Sequence, residues 1–215
     1  MTEHIDGSRL NQDLRYRFEY ISKFINFTND DIKALNTLAT IALPLIPVIV
    51  DAVYRKLFQF DITKQFFVLR NDGFDGLPKN NESLALDSPQ MIYRRDMLSD
   101  FLKRLLLQRE WTDDFLQYLS RIGQMHTNKI ESGSINVDYI HLNATLTYIE
   151  TLIIDSVWTI ETIDNKTKKE IIIAINKAFR IQNDLFVLHY LESTSKETDA
   201  SISSTHHKTN KCISS

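Results

Sequence analysis

The residue with the clearest chemical potential in this sequence is His126. Upstream of it, Trp111, Phe115, Leu119 and Ile122 recur at spacings of four, four and three residues. Such spacing lays an apolar stripe along one face of a helix. His126 continues the stripe four residues after Ile122, so its ring is expected to point inward. Because a neutral imidazole carries a nitrogen lone pair, His126 is a candidate ligand for iron, zinc or copper. A single inward histidine is more often a core residue bonded to its neighbours, so the rest of the chain must decide.

A tyrosine earlier in the chain is the second candidate. Tyr54 follows Ile46, Val50 and Val53 on an inward helix face. As a core residue it would bond its hydroxyl to a carbonyl. As a functional residue it would donate a hydrogen bond across a pocket from His126. The residue pattern leaves both interpretations open.

The composition limits the classes of protein and partner. The chain has 215 residues, of which 43% are hydrophobic and 25% charged, with a net charge of −3. These values suit a soluble globular protein and do not call for nucleic acid or an anionic membrane as partner. The single cysteine, Cys212, excludes a disulfide within the chain and fits a reducing compartment. The N-terminus lacks a basic region followed by an apolar run, so we expect a cytoplasmic protein.

The scarcity of helix breakers predicts an all-α fold. Only five glycines and four prolines occur, and about eight helices are predicted, the last two long, over 137–163 and 166–191. The apolar run 34–50 is short for a membrane span, and Pro44 suits the start of a new helix. Residues 1–8 and 195–215 are polar and are predicted to be disordered. The remaining 9–194 form one domain.

Three segments together resemble known globins. The segment 50–57, Val-Asp-Ala-Val-Tyr-Arg-Lys-Leu, resembles the distal-tyrosine helix of the globin-coupled sensors. The run 111–126, ending in Ile-Gly-Gln-Met-His, resembles the proximal helix of protoglobins. Asp-Tyr-Ile-His at 138–141 resembles the start of their next helix. The resemblance covers about 24–191 and implies a globin-like helical sandwich with an extra N-terminal helix or arm.

This resemblance implies a pocket for heme b. His126 would be the proximal iron ligand, and Tyr54 would lie on the distal side. The other implied heme contacts are Phe67 as a packing aromatic, Leu98 and Leu102 on the distal wall, and Tyr139 on the proximal side. Protoglobins carry a tryptophan just before the distal tyrosine, and Val53 stands there in this chain, which implies a more open distal pocket. His141 is the rival ligand; because it does not extend an apolar stripe, we interpret it as a surface or helix-packing residue.

The resemblance also implies a function. A globin of this kind binds diatomic gas reversibly, O2 and also NO or CO, for gas sensing or oxygen binding. A homodimer is expected through the two long C-terminal helices, whose apolar positions exceed one buried face: Ile153, Ile154, Val157, Ile171, Ile173 and Val187. A separate signalling partner would then receive the output. The alternatives are a heme enzyme, such as a nitric oxide dioxygenase or peroxidase, and a heme-free helical interaction domain.

Overall fold

The computed structural model describes residues 2–67, 85–127 and 137–209, with side chains described as far as Leu191. Within these residues there are eight α-helices, three short 3-10 segments and no β-strand. The elements in chain order are η1 (Arg9–Asn11), α1 (Leu14–Phe24), α2 (Asn29–Ala42), η2 (Leu43–Leu45), α3 (Ile46–Leu57), α4 (Asp61–Lys64), η3 (Gln65–Phe67), α5 (Pro89–Leu107), α6 (Asp113–Met125), α7 (Tyr139–Thr159) and α8 (Asn165–Thr209). The all-α prediction is confirmed.

Side-chain caps determine where the helices begin. Thr28 followed by two acidic residues predicts a helix N-cap, and the cap is present as a capping box, in which Asp31 accepts from the Thr28 backbone N–H. Ser88 caps α5, and Thr112 caps α6 by accepting from the backbone N–H of Phe115. Because each cap satisfies backbone donors that the first helical turn leaves open, it fixes the starting residue of the helix.

Helix α8 lies at the centre of the packing, in contact with α2, α6 and α7. Its Ile171, Ile175 and Phe179 are almost completely buried, as is Leu119 on α6. Helix α3 packs against α5 and α7 on the other side of the fold. The core therefore lies between two groups of helices, α2, α6 and α8 on one side and α3 and α5 on the other, with α7 in contact with both groups. The apolar faces of the two groups are removed from water there.

The predicted N-terminal helix packs on this body. Phe18 of α1 stacks on Trp111 with ring centroids 5.6 Å apart. Arg17 pairs with Asp184 of α8 through two N–H···O contacts of 2.5 and 2.6 Å. A bidentate pair of this kind fixes orientation as well as distance, so α1 is joined to the last helix of the domain.

The apolar stretch Asn29–Leu57 is long and apolar enough to cross a membrane, by length and composition alone. It is made of α2, η2 and α3, and a new segment does begin at Leu43–Leu45, where Pro44 was expected to interrupt the helix. Leu38 of α2 and Val53 of α3 are almost completely buried in the core. A helix pair that supplies core side chains passes the same test, so the stretch is weak evidence for a span.

The C-terminal part of the chain differs from the prediction. Helix α8 was expected to end near 191, with a disordered tail over 195–215, but its backbone is helical to Thr209. No glycine or proline lies between Asn165 and Thr209, so nothing in the sequence interrupts the backbone hydrogen bonds. The glycines, prolines and asparagines within 70–90 predict a long loop, and Ser-Gly-Ser at 132–134 predicts a turn; most of the loop and all of the turn lie outside the described residues.

Candidate functional site

A cavity of about 280 Å³ lies between the two groups of helices. This is close to the lower end of the roughly 300–1,000 Å³ of small-molecule sites. Most of its wall is aliphatic or aromatic, from residues that include Val53, Leu57, Phe67, Leu98, Phe101, Ile122, Leu146 and Ile149. The ionisable side chains on the wall are Tyr54, Arg94, Tyr118, His126 and His141. An apolar cavity with a few converging polar groups is the usual form of a cofactor site.

The imidazole of His126 is oriented by its own helix. Its Nδ1 lies 2.7 Å from the backbone oxygen of Ile122. Because a carbonyl only accepts, Nδ1 must carry the hydrogen, which leaves the lone pair on Nε2 at the far side of the ring. Burial also lowers the pKa of His126, so the ring is neutral near pH 7. His126 is half-buried and is one of the residues that line the cavity. A neutral imidazole with one nitrogen hydrogen-bonded to a carbonyl is the arrangement that metal-binding histidines show.

Helix α8 holds His126 from the other side. The ring of Phe186 meets the imidazole edge to face, with centroids 5.5 Å apart. The hydroxyl of Tyr190 lies within hydrogen-bonding distance of the backbone oxygens of His126 (3.2 Å) and Val137, which share its one hydrogen. One helical turn earlier, a Cβ added to Gly123 would come within 2.7 Å of the His189 ring. The close packing of α6 on α8 therefore requires glycine at 123, and it fixes the position of the histidine.

Tyr54 faces the cavity from α3, but its hydroxyl hydrogen is already donated in a hydrogen bond. Its hydroxyl donates to the backbone oxygen of Arg94 at 2.9 Å. Burial raises the pKa of Tyr54 to about 12, so the phenol stays protonated. The structure thus combines the two interpretations of the sequence: Tyr54 lines the cavity, and its hydroxyl is bonded to a carbonyl. In this state the oxygen offers only lone pairs to the cavity.

Two of the four other predicted contacts lie at the cavity. Phe67 is buried on the wall, 5.7 Å from the Tyr54 ring and 5.4 Å from the Phe58 ring between centroids. Leu98 also lines the cavity. Leu102 does not: it is fully buried in the core, and the neighbouring position Phe101 takes the place on the wall. On α5 the cavity wall thus includes Arg94, Leu98 and Phe101, so Leu98 lies where it was predicted and the second position is Phe101 instead of Leu102.

Tyr139 is not among the residues that line the cavity. Its hydroxyl donates to Asn183 at 2.9 Å, and its ring packs against Tyr190 of α8, so it faces that helix rather than the cavity. The cavity side of α7 carries His141 and, one turn later, Thr145. His141 is half-buried, and its ring centroid lies 6.0 Å from that of Phe66, which agrees with the helix-packing interpretation.

Arg94 is a cavity residue that the sequence interpretation missed. It lies one helical turn before Leu98, so continuing the predicted wall backwards along α5 would have reached it. A charged residue on an inward face is unusual, since buried cations need partners. A charged residue at an inward position of the helix was therefore the sequence signal that could have identified Arg94.

Comparison with known proteins agrees with this geometry. The protoglobin family profile matches residues 14–196. The chain belongs to the protoglobin family. The globin domain of the Geobacter sulfurreducens globin-coupled sensor has a similar structure, with a TM-score of 0.63 and 16% identity, covering 80% of this chain and 96% of that one. At this identity the likeness establishes a globin fold. No match was found among curated protein sequences.

Proposed function

We propose that this protoglobin binds heme b and uses it to bind diatomic gas reversibly, with His126 as the axial iron ligand. The observation that carries the proposal is the 2.7 Å bond between Nδ1 of His126 and the Ile122 carbonyl, which directs the lone pair of Nε2 away from α6. Heme iron needs one strong axial nitrogen from the protein, because the porphyrin supplies the other four. A single oriented imidazole on the wall of an apolar cavity meets that need.

Bound heme would supply an iron atom able to take O2, NO or CO. The chain's own part is to position the heme and protect it. Phe67 and Leu98 present apolar surface that keeps water from the site. Tyr54 supports a hydrogen bond to bound gas only if its hydroxyl leaves the Arg94 carbonyl, so we infer a rearrangement on that side.

We further propose that the protein is a cytoplasmic homodimer whose gas state is read by a separate signalling partner. Three of the apolar residues cited for the dimer surface, Ile153, Val157 and Ile171, are buried within the monomer and so do not support it. Other apolar side chains of α7 and α8 are exposed: Trp158 by 63% and Ile173 by 41%. These residues support a surface on the two C-terminal helices. Sedimentation at micromolar concentration tests this; a monomer contradicts it.

The heme proposal is tested by the absorption spectrum of the purified protein supplied with heme. We expect a Soret band that sharpens and shifts when the reduced protein is given carbon monoxide, at one heme per chain. A protein that stays colourless, or a spectrum equal to that of free heme, would overturn the proposal and favour a helical interaction domain.

A further inference from the structure

The part of the cavity wall that α7 supplies becomes more buried along the helix. His141, in the first turn, is half-buried, and Ile140 beside it is 70% exposed. Further along the helix, Leu146 and Ile149 are almost completely buried on the same wall. His141 therefore lies at the outer end of this wall, where a charged part of a ligand can keep its contact with water.

Other polar groups on the wall are already used within the protein. The hydroxyl of Tyr54 donates to the backbone oxygen of Arg94 at 2.9 Å, and that of Thr145 donates to the backbone oxygen of His141 at 2.7 Å. The guanidinium of Arg94 is buried and bonds the backbone oxygen of Phe66. The two hydroxyls therefore present only lone pairs to the cavity, and lone pairs repel a carboxylate.

The imidazole of His141 differs from these groups, because it makes no hydrogen bond to any of the described residues. It packs beside the ring of Phe66, with centroids 6.0 Å apart. An imidazole carries one N–H donor when it is neutral and two when it is cationic. His141 therefore has a donor to offer to a carboxylate, and a hydrogen bond to such a charged acceptor is stronger than one between neutral groups.

We propose that His141 binds a carboxylate of the heme, so that the heme edge with its two carboxylates lies at the outer end of the cavity beside α7. Apart from its iron and these carboxylates, heme b is apolar and suits the wall of Leu146 and Ile149. Burial of an unpaired carboxylate is costly, so the charged edge needs both water and a donor. The inference rests on the proposed function and deepens it by assigning the residue that binds the charged edge.

The test compares heme b with its dimethyl ester, in which both carboxylates are blocked. Titration of the full-length protein with each compound, followed by absorption, gives two dissociation constants, and their ratio cancels effects that the two compounds share. His141→Phe keeps a ring beside Phe66 but removes the donors. In this variant we expect heme b to bind about three- to tenfold more weakly, while the ester binds as it does to wild type.

His141→Gln retains an N–H donor without the ring, so its ratio should lie between those of His141→Phe and wild type. Both variants keep His126, so both should still take up heme. His4 supplies the control for heme bound at a surface imidazole, since it is exposed near the N-terminus and is not a cavity residue. We expect His4→Ala to leave the ratio within about twofold of wild type, as for an independent site.

The outcomes separate this inference from the heme proposal. If the wild-type protein takes up neither compound, both fail. If it takes up heme b but the ratio is the same in wild type and His141→Phe, only the carboxylate site is overturned. The same holds if the ratio falls instead in Tyr118→Phe, since Tyr118 lines the cavity from α6. Equal weakening of heme b and its ester in both His141 variants would show that His141 only packs against the porphyrin, and would also overturn the site.

Discussion

The two walls of the cavity differ in how ready their polar groups are for a ligand. On the wall made by α6 and α8, the Nδ1 hydrogen of His126 is bonded to Ile122, which leaves Nε2 with its lone pair. On the wall made by α3 and α5, the hydroxyl of Tyr54 donates its hydrogen to the backbone carbonyl of Arg94. The first wall is therefore preorganised, while the hydroxyl of the second must rotate before it can donate. Preorganisation lowers the cost of binding, so His126 is expected to dominate the energetics of the site.

The largest expected effect comes from removing the preorganised group. His126→Ala should weaken heme binding by more than the roughly ten- to hundredfold typical for loss of a residue that only orients a ligand. His141→Ala is the matched control, because His141 lines the same cavity from α7. We expect it to retain heme. Titration of each variant with heme, followed at the Soret band, measures the difference; equal losses in both would contradict the assignment.

The packing of the wall made by α6 and α8 can be disturbed by a substitution at Gly123. In Gly123→Ala the new methyl would lie 2.7 Å from the His189 ring and 3.1 Å from the Leu185 carbonyl. Overpacking costs about 1–3 kcal/mol, partly offset by about 1 kcal/mol of better helix propensity. We expect a net loss of up to about 2 kcal/mol in the free energy of unfolding in urea.

Gly7 supplies the control for this substitution, since a Cβ there meets nothing within 4 Å. Gly7→Ala should leave the free energy of unfolding within about 0.5 kcal/mol of wild type, as for other surface changes. A stabilised Gly123→Ala protein would show that α6 and α8 are not in close contact at this point.

A substitution on the wall made by α3 and α5 is expected to have a smaller effect, on gas binding. A hydrogen bond from Tyr54 to O2 would be worth about 1.5–3 kcal/mol, less about 0.5–1.5 kcal/mol for giving up the Arg94 carbonyl. Tyr54→Phe should therefore speed O2 dissociation by roughly tenfold, and change CO less, because CO carries less negative charge. Stopped-flow dissociation rates measure both gases. Small, equal changes would mean that the hydroxyl stays on the carbonyl.

The smallest expected effect is on pH dependence. Burial lowers the pKa of His126 below its ordinary value of about 6.5, so near and below that pH the unfolded chain binds more protons than the folded one. The free energy of unfolding then falls on acidification, by at most about 1.4 kcal/mol per pH unit for one group. His126→Leu should flatten this slope. Urea unfolding at pH 7.5, 6.5 and 5.5 measures the free energy of unfolding of wild type and His126→Leu. Equal slopes of that free energy against pH would show that His126 does not cause the dependence.

The sequence was informative where one helix face repeats a simple pattern. The stripe leading to His126 placed that residue on the cavity wall, and the predicted cap at Thr28 is where α2 begins. It failed where the outcome depends on the angle between helices. Leu102 and Phe101 are adjacent and both apolar, so only the packing of α5 on its neighbours decides which one faces the cavity.

Tyr139 and His141 show the same limit on α7. Both lie in its first turn, but Tyr139 bonds Asn183 of α8, whereas His141 lines the cavity. The family resemblance supplied the heme function, but the direction of the Tyr54 hydrogen bond and the position of Arg94 are tertiary features. No local pattern encodes them.

The central claim, that His126 supplies the axial nitrogen to heme iron, is tested most directly by the iron–imidazole stretching band in the resonance Raman spectrum of the reduced protein. We expect the band in wild type and His141→Ala. In His126→Ala it should be absent, and it should return at a shifted frequency when free imidazole is added. A band that persists unchanged in His126→Ala and disappears in His141→Ala would contradict the account.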